Sequence, residues 1–86
     1  MSNVTIYTTT WCRYCHAAKR VLDRKGIGYS EIDIETWDDP WAQLNTITGG
    51  SSVPQVVVGD QPIGGYDDLC ALDREGRLEG LTSGPN

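Results

Sequence analysis

The chain has 86 residues, of which 38% are hydrophobic and 22% charged, and its net charge is −5. This length and composition predict one globular domain over 1–86, with a thin core over about 3–81 and a frayed tail over 82–86. The acidic balance argues against nucleic acid as a partner, because phosphate binding relies on Lys and Arg. No apolar run reaches the length of a membrane span and no signal-peptide pattern is present, so we expect no membrane partner and a cytoplasmic location.

Hydrophobic periodicity predicts an α/β fold with the element order β-α-β-α-β-β-α. The helix between the first two strands implies parallel pairing, whereas the Gly59-Asp60 turn predicts an antiparallel hairpin between the last two. Pro62 marks an edge strand, and the sum is a four-stranded mixed sheet flanked by three helices. The predicted ranges are 4–8, 29–34, 55–58 and 61–63 for the strands, and about 13–25, 40–48 and 66–75 for the helices.

Local signals set the ends of the second helix. Asp38 or Asp39 is the candidate N-cap, and Pro40 suits the first turn, where its missing N–H costs nothing. Gly49 and Gly50 stop the helix. Its apolar stripe is expected to consist of Trp41, Leu44 and Ile47.

Cys12 and Cys15 lie where the first strand gives way to the first helix, Cys12 at the helix N-terminus and Cys15 one turn inside it. Unpaired N–H groups and the helix dipole favour an anion there, so we expect the Cys12 sulfur to be exposed and largely ionised at neutral pH. A thiolate attacks disulfides, and a second thiol one turn away can displace the partner and close an intramolecular bridge. The spacing therefore favours redox catalysis by this pair.

Two other interpretations of the cysteine pair stay open, half of a zinc site and inert core cysteines. A tetrahedral zinc site requires about four ligands, and the remaining candidates are Cys70, His16 and scattered acids. Cys70 is expected to be a small packing residue, with an oxidation-sensitive site as the alternative. His16 is expected to lie on the surface. Trp37 and Trp41 are expected to clamp the second helix to the sheet, with a partner-docking surface as the alternative.

Four motifs follow one another along the chain: Cys12-Arg13-Tyr14-Cys15-His16, Gly49-Gly50, Ser52-Val53-Pro54-Gln55 and Ile63-Gly64-Gly65-Tyr66-Asp67-Asp68-Leu69. In this order they resemble the motifs of glutaredoxins, above all the small bacterial dithiol members of that family. The resemblance covers nearly everything from Val4 to Leu81 and implies a thioredoxin-like fold. It also implies reduction of protein disulfides and of glutathione mixed disulfides, with glutathione as co-substrate and no tightly bound cofactor.

The resemblance assigns roles to individual residues of the second and third motifs. Pro54 is expected to follow a cis peptide bond, and Ser52 and Val53 to form part of the glutathione site. The Val53 backbone is expected to pair with the cysteine moiety of glutathione. Tyr14 is expected to flank the groove beside the reactive sulfur, with a partly buried structural aromatic as the alternative.

The fourth motif matches the segment that holds the γ-glutamyl end of glutathione. Backbone N–H groups at the helix start, within Gly65, Tyr66, Asp67 and Asp68, are expected to receive its carboxylate. Asp67 or Asp68 is expected to pair with its ammonium group. Capping of the helix by the Asp pair is an alternative that is compatible with this role.

The chain departs from the family pattern at Arg13, where the commonest dithiol form has proline. A cation beside Cys12 is expected to favour its thiolate and to attract anionic glutathione, with a solvent-facing residue of the first helical turn as the alternative. Arg13 would thereby partly replace a lysine that many relatives carry before the first cysteine, where this chain has threonines. Trp11 is expected to line the groove.

The loss of that proline leaves two alternatives open. One is a dimer that binds a [2Fe–2S] cluster through Cys12 of each chain and two glutathione molecules. The other is a reductase similar to mycoredoxins, which use another low-molecular-weight thiol. Without a cluster, the protein is expected to be a monomer whose partners are glutathione and disulfide-containing or glutathionylated proteins.

Overall fold

The structure is a computed structural model that describes residues 4–82, the last two of them by their backbone alone. The predicted fold class is confirmed, with one short helix and one 3₁₀ turn beyond the three predicted helices. Of the predicted frayed tail only Thr82 is described, and it ends the last helix; 83–86 lie outside the described residues. The elements are β1 (Val4–Thr8), α1 (Arg13–Arg24), β2 (Ser30–Asp33), the 3₁₀ turn (Ile34–Thr36), α2 (Pro40–Thr48), β3 (Gln55–Val58), β4 (Gln61–Gly64), α3 (Tyr66–Arg74) and α4 (Leu78–Thr82).

The strands form one sheet in the order β2-β1-β3-β4. β1 pairs in parallel with β2 and antiparallel with β3, and Tyr7 lies opposite Ile32 on one side and Gln55 on the other. The predicted hairpin between β3 and β4 is confirmed, and Gly59 in its turn has a φ of +61°. Because β1 and β3 run in opposite directions, the end of β1 lies beside the start of β3. This arrangement brings the Cys12 loop next to the segment that precedes Gln55.

A single cluster of buried apolar side chains joins the two central strands to α1 and α3. Alternate residues of β1 point into it, and α1 contributes the residues that recur on one helical face. Ile34 and Leu44 are also fully buried, outside that cluster. The cluster consists of Val4, Ile6, Ala18, Val21, Leu22, Val56, Leu69 and Leu78.

The predicted end of β2 and the predicted cap of α2 differ from the structure. β2 ends at Asp33, whose side chain accepts a hydrogen bond from the Glu35 N–H at 2.8 Å and so starts the 3₁₀ turn. Asp39 occupies the N-cap of α2 but makes no capping bond with its side chain; its N–H donates to the side chain of Gln43 at 3.0 Å. Gly49, with a φ of +78°, ends α2 as predicted.

The apolar stripe of α2 is narrower than predicted. Leu44 is fully buried, but Trp41 and Ile47 are 42% and 46% exposed. Of the nine residues of α2, only Leu44 is buried, so few contacts hold this helix against the rest of the small domain.

Candidate active site

Cys12 occupies the N-cap of α1 in an extended backbone conformation. Its Sγ accepts a hydrogen bond from the Cys15 backbone N–H at 3.1 Å and donates one to the Val53 carbonyl oxygen at 3.6 Å. The first contact places the sulfur at the positive end of the helix, where an anion is stabilised. The second contact joins it to the segment that precedes β3.

The expected exposure of the Cys12 sulfur is wrong, because Cys12 is only 5% exposed. Its side chain is turned toward the helix N-terminus and the Val53 carbonyl, while its neighbour Trp11 is 64% exposed. Loss of the thiol proton removes the donor of the contact with Val53. A thiolate at this position therefore keeps only the hydrogen bond from the Cys15 N–H.

Cys15 is fully buried, and its burial raises the pKa of its thiol to about 12, with the hydrogen bond to Cys12 acting in the same direction. A hydrogen bond to the Thr9 backbone partly opposes this increase. Cys15 therefore keeps its proton at neutral pH, so Cys12 is the member of the pair that can begin thiol–disulfide exchange. Both cysteines are free thiols in the structure.

Glu35 fixes the loop before Cys12, a role that sequence reasoning missed. Its carboxylate accepts hydrogen bonds from the Thr10 backbone N–H at 2.8 Å and the Thr10 hydroxyl at 2.7 Å. These bonds, with a smaller contribution from the Trp11 side chain, lower the pKa of Glu35. No sequence signal links residues this far apart. The contact arises because β1 and β2 are parallel, so the segments after them meet at one edge of the sheet.

A groove of about 610 Å³ lies between the start of α1, the segment before β3 and the start of α3. This volume is in the range of small-molecule sites. The Val53–Pro54 peptide bond at its side is cis, as the resemblance implied. The lining residues are Tyr14, Thr48, Gly49, Gly50, Ser52, Val53, Pro54, Gln55, Pro62, Ile63, Gly64, Gly65, Tyr66, Asp67 and Asp68.

All the predicted binding residues except Arg13 line this groove. Arg13 is exposed in the first turn of α1. The sequence motif that contains Gln55 indicated no role for it. In the structure Gln55 is 6% exposed, and its Nε2 donates a hydrogen bond to the Ser52 carbonyl oxygen at 2.9 Å. A polar residue that opens a β-branched strand was the available signal, since a buried amide requires a partner.

The two aspartates at the start of α3 have different environments. Asp68 accepts a hydrogen bond from the Gly65 N–H at 3.1 Å and so caps the helix. Asp67 is exposed, and within residues 4–82 its carboxylate has no hydrogen bond or ion pair. Capping therefore belongs to Asp68, and Asp67 is the carboxylate left for a ligand.

Two pairs of aromatic rings lie beside the dithiol. Tyr14 lies near Tyr66 across the groove, with ring centroids 5.7 Å apart. Trp11 does not line the groove as expected; its ring lies 6.5 Å from that of Trp41, in a separate hollow. Both tryptophans are more than 40% exposed, so this second pair forms part of the surface beside Cys12.

Several predictions about residues outside the dithiol are also decided. Trp37 lies three residues before α2 and packs edge-on against Tyr7 of β1, with ring centroids 5.9 Å apart. A clamp of α2 to the sheet by Trp37 and Trp41 stays a prediction. Cys70 packs against the core and His16 is exposed, as expected. Over residues 4–82, no helix has the length and apolar character to cross a membrane, and no cluster of three metal-ligating side chains is found.

The fold and the dithiol define a class of protein, a thiol–disulfide oxidoreductase with a thioredoxin-like fold. Comparison with known proteins narrows this class. A family model described as Glutaredoxin matches residues 4–63. A glutaredoxin of Pseudomonas aeruginosa is 45% identical over 83 residues, covering 96% of this chain and 99% of the relative. Glutaredoxin 3 of Escherichia coli K12 is 42% identical over 81 residues, covering 94% and 98%.

Solved structures agree with the sequence comparisons. The solution structure of glutaredoxin from Brucella melitensis has a TM-score of 0.84 and 39% identity, covering all of this chain and 95% of that one. The crystal structure of a buckwheat glutaredoxin–glutathione complex has a TM-score of 0.86 and 29% identity, covering 95% and 77%. The chain belongs to the glutaredoxin family, and it is a glutaredoxin-type thiol–disulfide oxidoreductase.

Proposed function

We propose that the protein uses glutathione to reduce glutathione mixed disulfides and protein disulfides. The observation that carries this proposal is the groove, a space of ligand size that both Val53 and the start of α3 line, and Val53 also contacts the Cys12 sulfur. The buckwheat relative, whose structure is a glutathione complex, supports the same ligand.

The groove offers four kinds of contact that match the groups of glutathione. The Val53 backbone lies at 3.6 Å from the Cys12 sulfur, the place where the cysteine moiety of a mixed disulfide must lie. The Gly65 N–H donates to Asp68, but the N–H groups that follow it at the start of α3 have no acceptors within the helix and can receive the γ-glutamyl carboxylate. Asp67 is free to pair with the ammonium group, and Tyr14 with Tyr66 provides apolar walls.

The monothiol route uses Cys12 alone. The Cys12 thiolate attacks the glutathione sulfur of a mixed disulfide, the S–S bond breaks, and the protein thiolate leaves with the electron pair and takes a proton from solvent. A second glutathione thiolate then attacks the glutathione sulfur bound to Cys12. This step releases oxidised glutathione and restores the Cys12 thiolate.

The dithiol route requires Cys15. After Cys12 has formed a mixed disulfide with a protein cysteine, Cys15 loses its proton and attacks the Cys12 sulfur, which releases the protein thiol and leaves a Cys12–Cys15 disulfide. Two glutathione molecules reduce that disulfide. The Cys15 backbone nitrogen lies 3.1 Å from the Cys12 Sγ, and this proximity of the two residues supports the route.

A coupled assay with glutathione and a small mixed-disulfide substrate tests the proposal. We expect Cys12→Ser to abolish turnover on every substrate. We expect Cys15→Ser to keep activity on glutathione mixed disulfides and to lose direct reduction of protein disulfides. Equal loss in both variants would contradict the division of labour, and full activity of Cys12→Ser would overturn the assignment of the nucleophile.

The same preparation tests the alternatives that the sequence left open. An anaerobic sample that is brown, absorbs visible light and has a dimeric mass would support a [2Fe–2S] cluster shared through Cys12. A colourless monomer that turns over faster with another low-molecular-weight thiol than with glutathione would support the mycoredoxin-like alternative.

A further inference from the structure

Positive and negative charges are segregated along this chain. Five of the seven Lys and Arg residues lie within 13–25, on α1 and its cap. The segment 26–73 has no Lys or Arg but nine of the twelve Asp and Glu residues. A protein of net charge −5 thus has a helix of opposite sign that begins one residue after its reactive cysteine.

Three arginines of α1 form a straight line, which we call the arginine line: Arg13, Arg20 and Arg24. Positions 7 and 11 residues apart on a helix differ by only about 20° in direction. At about 1.5 Å per residue the line is ~16 Å long. All three residues are exposed.

The arginine line differs from its neighbouring lysines in having no ion-pair partner. Lys19 pairs with Glu31 at 3.0 Å, and Lys25 pairs with Asp73 at 2.9 Å. Within residues 4–82, no carboxylate lies within 4.0 Å of the guanidinium groups of the arginine line. The fold therefore neutralises the lysines of α1 and leaves the arginines available.

The arginine line is continuous with the groove. Arg20 and Arg24 border a hollow of about 320 Å³ that Asp23 and Tyr66 also line. Tyr66 is at the same time a wall of the groove. One acidic side chain against two arginines leaves this hollow with a net positive charge.

The arginine line begins at Arg13, directly after Cys12, so it lies within reach of the residues that flank the cysteine of a protein bound to Cys12 through a disulfide. An extended chain advances about 3.3 Å per residue, so the arginine line spans roughly five residues of it. Guanidinium groups bind carboxylates in pairs of parallel hydrogen bonds, and charge complementarity of this kind raises association rates. We propose that the arginine line docks an acidic segment, rich in Asp or Glu within about five residues of the reacting cysteine, of the protein substrate.

The proposal rests only on thiol–disulfide exchange at Cys12, so its test contains no glutathione. Three peptides differ only in acidic, neutral or basic residues around one cysteine, which carries thionitrobenzoate in a mixed disulfide. Cys12 thiolate attacks the peptide sulfur, the S–S bond breaks, and coloured thionitrobenzoate leaves with the electron pair. Cys15→Ser as the background stops the reaction at this step, and a Cys12→Ser sample measures the contribution of Cys70.

We expect the acidic peptide to react about tenfold faster than the neutral one at low salt. Raising the salt concentration from about 0.01 M to about 1 M shortens the screening length from ~30 Å to ~3 Å. The difference in rate between the acidic and the neutral peptide should therefore disappear over this range. Arg20→Gln and Arg24→Gln should each lower the acidic-peptide rate about threefold and leave the neutral-peptide rate unchanged.

Arg77→Gln is the matched control, because Arg77 is exposed, lies outside α1 and is paired with Glu75 at 3.4 Å. It changes the net charge equally and should leave all three rates unchanged. Equal rates for the three peptides, or an Arg77→Gln effect as large as that of Arg20→Gln, would overturn the proposal. Competition by a single-stranded oligonucleotide that exceeds competition by an acidic peptide would overturn it in favour of a nucleic acid.

Discussion

The buried thiol of Cys15 should make the folding stability of this protein fall at alkaline pH. Its pKa is raised from 9.0 to about 12 in the folded protein. The stabilising contribution is therefore complete below about pH 9 and is lost as the pH rises toward 12, because the thiol of the unfolded chain ionises first. Each pH unit is worth at most about 1.4 kcal/mol, which bounds the total loss at about 4 kcal/mol.

Urea unfolding of reduced wild type and of Cys15→Ala between about pH 8 and about pH 11 measures this loss. The free energy of unfolding of the wild type should fall more steeply than that of the variant. Tyr29 and Tyr66, whose pKa values are also raised, chiefly by burial and by a hydrogen bond to Cys70 respectively, contribute to both curves and cancel in the difference. Parallel curves would refute the argument that burial keeps Cys15 protonated.

Three further predictions follow from contacts described above. Asp67→Asn should raise the KM for a glutathione mixed disulfide several-fold without changing the melting temperature. Asp68→Asn should lower the melting temperature, because it weakens the cap of α3. Equal effects of the two variants on the melting temperature would show that Asp67 is structural. Leu22→Ala removes a fully buried side chain and should cost about 2–5 kcal/mol in urea unfolding; a cost under about 1 kcal/mol would mean that the core collapses into the space. The hydrogen bond from Lys19, with that from Thr8, lowers the pKa of Glu31. The ionised Glu31 carboxylate therefore stabilises the fold at neutral pH, and this contribution is lost as the pH falls through the lowered pKa. The wild type should lose more stability on acidification than Glu31→Gln, and identical acid unfolding curves would contradict this sign.

Sequence patterns predicted the topology because the relevant signals are local. Strand alternation, the glycines that end helices and the cysteine spacing each depend on residues a few positions apart. Pro54 and the start of α3 could be placed in one groove only through the order of the family motifs. The features that the sequence did not predict depend on residues that are distant in sequence.

The hydrogen bonds of Glu35 to Thr10 cross 25 positions, and no periodicity reveals them. The burial of Cys12 follows from a carbonyl 41 positions away, so helix signals alone led to an exposed sulfur. In each case a contact between elements outweighed a correct local tendency.

The arginine between the two thiols has a practical consequence for mass spectrometry. Trypsin cleaves after Lys and Arg, and Arg13 is exposed, so digestion separates Cys12 in fragment 1–13 from Cys15 in fragment 14–19. Cys70 falls in fragment 26–74, because no cleavage site precedes Arg74 in that stretch. The three cysteines therefore lie in three fragments of different mass, and fragments 1–13 and 14–19 stay joined only when the Cys12–Cys15 disulfide has formed.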